Sequence, residues 1–206
     1  MIRKLIVAAG LASALAALAG CAGPPPPTYV DAFKGVYNTS AASVPADKPV
    51  TMRQPVGIIF SQNVEAYIGF VADTKAYWAS VIPTTLTNTV AVADSDPTYF
   101  AGRVLGVLKS HFPDAQQVHD FNQAVASGKK SVCLIDLHMK PLEPYGDRTT
   151  RVDIDAYLFD AQMNPVSKLS GHGEHAVPFG SGNPGIQDSI DQALRALDAR
   201  MAALVH

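Results

Sequence analysis

The chain has 206 residues, enough for one domain of about 150 residues with a proper core once a leader and a linker are set aside. Net charge is −2 and only 17% of residues are charged, so the chain as a whole offers no electrostatic reason to bind nucleic acid. The two cysteines, Cys21 and Cys133, give no disulfide framework, and the 48% hydrophobic content is inflated by the amino-terminal run.

Arg3 and Lys4 form a short positive start, and Leu5 to Ala19 is almost wholly apolar. A charged start, an apolar core and small residues before a cut are the layout of a secretory signal. The run is about 15 residues, short of the roughly 20 that a spanning helix needs. Leu18-Ala19-Gly20-Cys21 resembles the lipobox of bacterial lipoproteins. That resemblance implies cleavage between Gly20 and Cys21 and a diacylglyceryl group on the Cys21 thiol, often with acylation of the new amino terminus. Two or more acyl chains hold a protein stably on a bilayer. By analogy with enterobacterial sorting, Ala22 in place of Asp favours the outer membrane, with the folded part in the periplasm. Residues 1–20 are thus expected to be a signal peptide and 21–50 a lipid-anchored, Pro-rich tether. Pro24 to Pro27 suits a polyproline II stalk. Tyr29, Phe33 and Tyr37 interrupt the tether at four-residue spacing, either to dock on the domain or to lie on the membrane surface.

The folded domain is expected over 51–206. Val56 to Phe60 suits a buried strand. Tyr67–Val71 and Tyr77–Ile82 are rich in aromatic and β-branched residues and favour strands, and Thr84–Ala93 adds a further candidate. Asp96-Pro97 reads as a helix N-cap followed by Pro at the first position. Phe100, Val104, Val107, Leu108 and His111 then mark one buried face, and Pro113 ends the helix. Gln116–Val118 reads as a short strand. Asp120 caps a short helix that Gly128 stops.

Three strands follow. Ser131–Met139 puts Cys133, Ile135, Leu137 and Met139 on one face and Val132, Leu134, Asp136 and His138 on the other. Arg151–Phe159 alternates, with Val152, Ile154, Ala156 and Leu158 inward. Val166–Val177 places Leu169, Gly171, Gly173 and Val177 on one side, with Lys168, His172 and Glu174 opposite. A final helix, expected to start near Asn183-Pro184, carries a stripe of Ile186, Ile190, Leu194, Leu197, Met201 and Leu204. The fold class is α+β: a mixed or antiparallel sheet with a three-strand carboxy-terminal meander and helices packed on one face.

The polar face of the meander is the sharpest candidate for chemistry. Asp136, His138, Asp153, Asp155, His172 and Glu174 share one side of three neighbouring strands. Imidazoles and carboxylates in that arrangement can hold zinc or act as general acids and bases. A solvated or partner-binding face is the plainer reading, and no catalytic set or cofactor motif is named by the sequence. Cys133, between Val132 and Leu134, reads as a small buried core residue. His172 and His175 fall on opposite faces of a strand, which argues against a metal pair. Gly180-Ser181-Gly182 lacks the phosphate-loop pattern.

His111-Phe112-Pro113, Leu134-Ile135-Asp136-Leu137, Leu158-Phe159-Asp160, Gly171-His172-Gly173 and Ala193-Leu194-Arg195-Ala196-Leu197 follow one another in an order similar to that of small Gram-negative envelope lipoproteins typified by YajG. Those share an α/β layout related to the TolB amino-terminal domain and the periplasmic domain of CsgG. The resemblance implies a non-enzymatic accessory subunit of an export, assembly or envelope-maintenance system, with a protein partner or self-association. A ring-forming export subunit and a metal-dependent periplasmic enzyme are the alternatives.

Overall fold

The structure is a computed structural model and describes residues 24–81, 96–140, 148–178 and 185–206. A five-stranded sheet runs in the order β2-β1-β3-β4-β5, with β1 Val56–Phe60, β2 Gln116–Gln117, β3 Ser131–Lys140, β4 Thr149–Phe159 and β5 Pro165–Ala176. β1 pairs in parallel with β2 and β3, and β3, β4 and β5 form the antiparallel meander. The fold is α+β, with helices packed on a mixed sheet whose last three strands alternate apolar and polar residues.

Three helices share one face of the sheet: α1 Gln62–Val81, α2 Tyr99–His111 and α4 Ile186–Leu204. Beneath them lie Ile58, Cys133, Ile135, Ile154 and Leu158, all fully buried. Gly171 and Gly173 allow the tight seat of α4. A methyl group at either position would run into the backbone carbonyl oxygen of Ala193 or Ser189. The expected stripe of α4 is found, with Ile190, Leu194, Leu197 and Met201 buried and Ala193 added.

Residues 67–81 correct the sequence reading. Composition favours strands over Tyr67–Val71 and Tyr77–Ile82, but the chain through Val81 is the helix α1. Ser61 starts it: its hydroxyl and carbonyl accept from the Val64 amide at 3.3 and 3.1 Å. Val64, Tyr67 and Val71, at helical spacing, supply the buried stripe. Periodicity overrides the strand preference of the individual side chains.

Ile82 and the candidate strand Thr84–Ala93 lie outside the described residues.

α2 opens at Tyr99 with Thr98 in the cap position, two residues later than expected. Asp96 instead closes a turn, its Oδ1 accepting from the Thr98 amide (2.9 Å) and hydroxyl (2.7 Å). The short helix α3, Phe121–Ala126, is capped by Asp120 as expected, and Gly128 follows it in the left-handed region at φ 71°. The Asn183-Pro184 start, Gly180-Ser181-Gly182 and the Pro141–Asp147 connection lie outside the described residues. α4 is preceded by Gly185 at φ 65°.

The second face of the sheet is divided. Its half nearer α3 is apolar, built from Ile59, Val132, Leu134, Tyr157 and Phe159. Residues expected in the tether cover that half. Phe33 is fully buried, with its ring 4.9 Å from Tyr157 and 5.5 Å from Phe159, and Tyr37 packs edge-on against it. The segment then pairs Ala46 with Lys168 and Val50 with Val205. Of the two fates open to Tyr29, Phe33 and Tyr37, docking is the one observed.

Candidate functional site

The other half of the second face is polar, and strand register builds it. Antiparallel pairing sets Asp136 opposite Asp155, and Asp155 opposite Ser170. The next row is His138, Asp153 and His172, and the row beyond is Lys140, Arg151 and Glu174. All six residues singled out from the sequence therefore do share one face. The register does not bring them to one point.

They divide into two clusters. In the first, Asp136 is 2% exposed and lies against the start of α1. Its Oδ1 accepts from the Ser61 hydroxyl at 2.5 Å and from the Asn63 amide at 2.8 Å. Its Oδ2 lies 3.2 Å from His138 Nε2. The Asp136 bond holds the His138 imidazole protonated to a pH above its ordinary value; partial burial opposes this, and Asp155 and Asp153 add to it. Tyr29 stacks on that ring at 4.7 Å and 17°. The Tyr29 hydroxyl donates to the Met139 carbonyl (3.1 Å) and accepts from its amide (2.8 Å), capping β3 beyond the end of β1. Asn63 clamps the neighbouring residue, since its side chain accepts from the Val30 amide and donates to the Val30 carbonyl.

In the second cluster, His172 Nδ1 is 2.6 Å from Asp153 and its Nε2 is 3.2 Å from Glu174. Arg151 Nε donates to Glu174 at 2.7 Å. The Asp153 bond, with Glu174 behind it, raises the His172 pKa, whereas Arg151 and then His172 lower that of Glu174. This cluster is exposed.

A cleft of about 470 Å³ opens over the first cluster, between the sheet and the covering segment. Asp136, His138, Asp153 and Asp155 line it, together with Lys168 and Ser170; His172 and Glu174 do not. Lys168 Nζ lies 2.7 Å from Asp155, and the Ser170 hydroxyl donates to the same carboxylate at 2.5 Å. Each ionised group on the floor is thus engaged by a protein partner. Among the described residues, no three His, Cys, Asp or Glu side chains are placed to hold a metal ion.

Ser61, Asn63 and Ser170 belong to this site and were not singled out from the sequence; Lys168 was placed on the polar face without a role, and Tyr29 was marked only as a residue that could dock. Ser61, directly after an apolar strand, carried a helix-start signal that the strand reading of the next segment hid. Asn63 carried none. Cys21 and Gly20, with the rest of the Leu18–Cys21 motif, lie outside the described residues. Cys133 is fully buried and its thiol is pushed up to about 12 by burial.

These features define a sheet domain of α+β class with one face under helices and the other half-covered by its own amino-terminal segment. No family model matches the chain, and no curated protein matches it in sequence. Among solved structures it is similar to PelC of Paraburkholderia phytofirmans, crystallised as a dodecamer. A point variant in space group C2 is 12% identical at a TM-score of 0.40, covering 77% of this chain and 93% of that one. The form in space group P6 is 11% identical at 0.38, covering 78% and 92%. Values this low assign neither function nor assembly to the present chain.

Proposed function

We propose that the chain is a lipid-anchored, non-catalytic domain of the Gram-negative envelope, held in the outer membrane through Cys21 and facing the periplasm. There it serves as an accessory or binding subunit of an export, assembly or maintenance system, in contact with a partner protein or further copies of itself. The observation that carries this reading is Leu18-Ala19-Gly20-Cys21, placed directly after a charged start and an apolar run. The order of elements, similar to that of the envelope lipoproteins typified by YajG, points the same way.

In the polar cleft the carboxylates are tied into the protein's own hydrogen bonds. Here Asp136 is engaged by Ser61, Asn63 and His138, and Asp155 by Lys168 and Ser170. Such a floor suits holding a shape.

Metabolic labelling with a fatty-acid analogue, followed by membrane fractionation, tests the anchor. The native chain is expected to carry label and to sediment with outer membranes. Cys21→Ser is expected to lose the label, retain the leader and leave that fraction. Unchanged membrane retention with normal leader removal in the variant would end the proposal.

A further inference from the structure

At the end of the sheet where β1 and β3 begin, a second cleft of about 540 Å³ is lined by Pro55, Lys109, Asp114, Gln116 and Lys129. Lys129 is 8% exposed. Its amide donates to the Ala124 carbonyl at the end of α3, and its stem crosses Gly57 of β1. A Cβ at position 57 would sit 3.2 Å from Val118 and in ordinary contact, at 3.4 Å, with the Lys129 Cγ, so the stem's track runs directly over the glycine. The track delivers Nζ to the edge strand β2, where it donates to the Gln116 side-chain oxygen at 2.6 Å.

That acceptor is neutral. No carboxylate among the described residues lies within ion-pair distance of the ammonium, although Asp114 lines the same cleft. An ammonium has three donors, and the hydrogen bond to Gln116 goes to a neutral oxygen, so a charged acceptor in the cleft would be the stronger partner. Lys109, on the exposed side of α2, adds a second cation at the rim. Two cations against one carboxylate leave the cleft positive on a chain whose net charge is −2.

We infer that this cleft is a binding site for an oxyanion, a phosphate or carboxylate group on a small soluble molecule. Lys129 contacts the anion as a point charge, Gln116 orients the ammonium, and Lys109 closes over it. The volume admits more than the bare anion. With the chain anchored through Cys21, as proposed above, the position in the fold favours a soluble ligand over a lipid headgroup. Tyr29, where the chain leaves towards its amino terminus, is bonded to Met139 at the far end of β3. Ten residues at a rise of about 3.3 Å put the cleft about 30 Å from that end.

Calorimetric titration of the detergent-purified full chain tests this, using sodium phosphate, sodium acetate and dihexanoyl-phosphatidylglycerol at constant ionic strength. Saturable heat with phosphate or acetate is expected. Lys129→Met should weaken the binding about tenfold or more, the usual cost of a charge-assisted hydrogen bond. Lys109→Met, on an exposed helix face, should weaken it severalfold without touching the fold. Lys34→Met, remote from the cleft, should leave it unchanged. Thermal unfolding of each variant separates lost binding from lost structure. No saturable heat with either anion, or equal heat in native chain and Lys109→Met and Lys129→Met variants that remain folded, would overturn the assignment. Binding of the short-chain lipid alone would overturn the soluble-ligand assignment.

Discussion

Replacing Phe33 with Ala asks whether the segment before residue 51 is part of the fold or merely leads to it. Phe33 is fully buried, with three aromatic rings between 4.9 and 5.6 Å away. An aromatic side chain hides about 150–250 Å², and at about 25 cal/mol per Å² its burial contributes about 4–6 kcal/mol as an upper bound. Phe→Ala substitutions in cores cost about 3–5 kcal/mol. The loss has a ceiling, because the segment can come away while the sheet stays folded. If docking of residues 29–48 is worth less than the lost packing, the global midpoint falls by the docking energy alone, and the segment opens. Two measurements on the same protein distinguish the cases: urea unfolding, and amide exchange at Val36, Ala41 and Lys48. Phe33→Ala is expected to lower stability by about 3 kcal/mol or more, or to strip protection from 29–48 with a smaller loss. A change below about 0.5 kcal/mol, the scatter of surface substitutions, with protection intact would refute the packing argument.

Other outcomes follow from the same structure. Gly171→Ala and Gly173→Ala drive a methyl into the α4 backbone and should each cost at least the roughly 1–3 kcal/mol typical of overpacking, read by thermal unfolding; a shift within about 0.5 kcal/mol would mean that α4 sits farther from β5. His138 and His172 have raised pKa values, so the native state holds protons that the unfolded chain releases. Their stabilisation is complete below about pH 6.5, the unfolded value, and is lost as pH rises through the folded values. Both rings are about half exposed, so each effect should stay under about 1 kcal/mol. Imidazole proton shifts followed by NMR should titrate above about 6.5 for His138, and Asp136→Asn should bring that midpoint down; an unmoved midpoint would detach His138 from Asp136. The buried Cys133 thiol should react with an aromatic disulfide reagent only on unfolding.

How much of the fold was legible depended on whether one physical pattern dominated a segment. In β4, Val152, Ile154 and Ala156 alternate with Asp153 and Asp155, and a period of two admits no other reading. The α4 stripe was equally plain, because Ile190, Leu194, Leu197 and Met201 step at helical spacing among charged residues. α1 failed because its helical stripe of Val64, Tyr67 and Val71 is embedded among further aromatic and β-branched side chains, so composition and period disagreed. The second cleft was illegible for another reason: Gly57 and Gln116 meet only through the parallel pairing of β1 and β2, and Lys129 reaches them only from the turn after α3.

The division of the second face can be traced to a change of pattern within β3. Ser131 to Ile135 is buried at every position, and beyond Asp136 exposure alternates, with Leu137 and Met139 buried and His138 and Lys140 open. A strand buried on both sides carries a continuous apolar run, and one buried on a single side alternates. Val132 and Leu134 therefore already announced a cover on the face opposite the long helices, and Phe33 supplies it. Asp136 stands at the boundary and is buried without being apolar. It is tolerable there because the start of α1 brings Ser61 and Asn63 to one carboxylate oxygen and His138 meets the other. Asn63 also grips Val30, so the carboxylate, the helix start and the covering segment are tied through one amide. Asn63→Leu should accordingly loosen residues 29–31 and leave Asp136 short of a donor, a cost of about 1–3 kcal/mol for the buried acceptor alone. Urea unfolding together with exchange at Val30 would measure both effects. Loss of one without the other would show that the segment and the carboxylate are held independently.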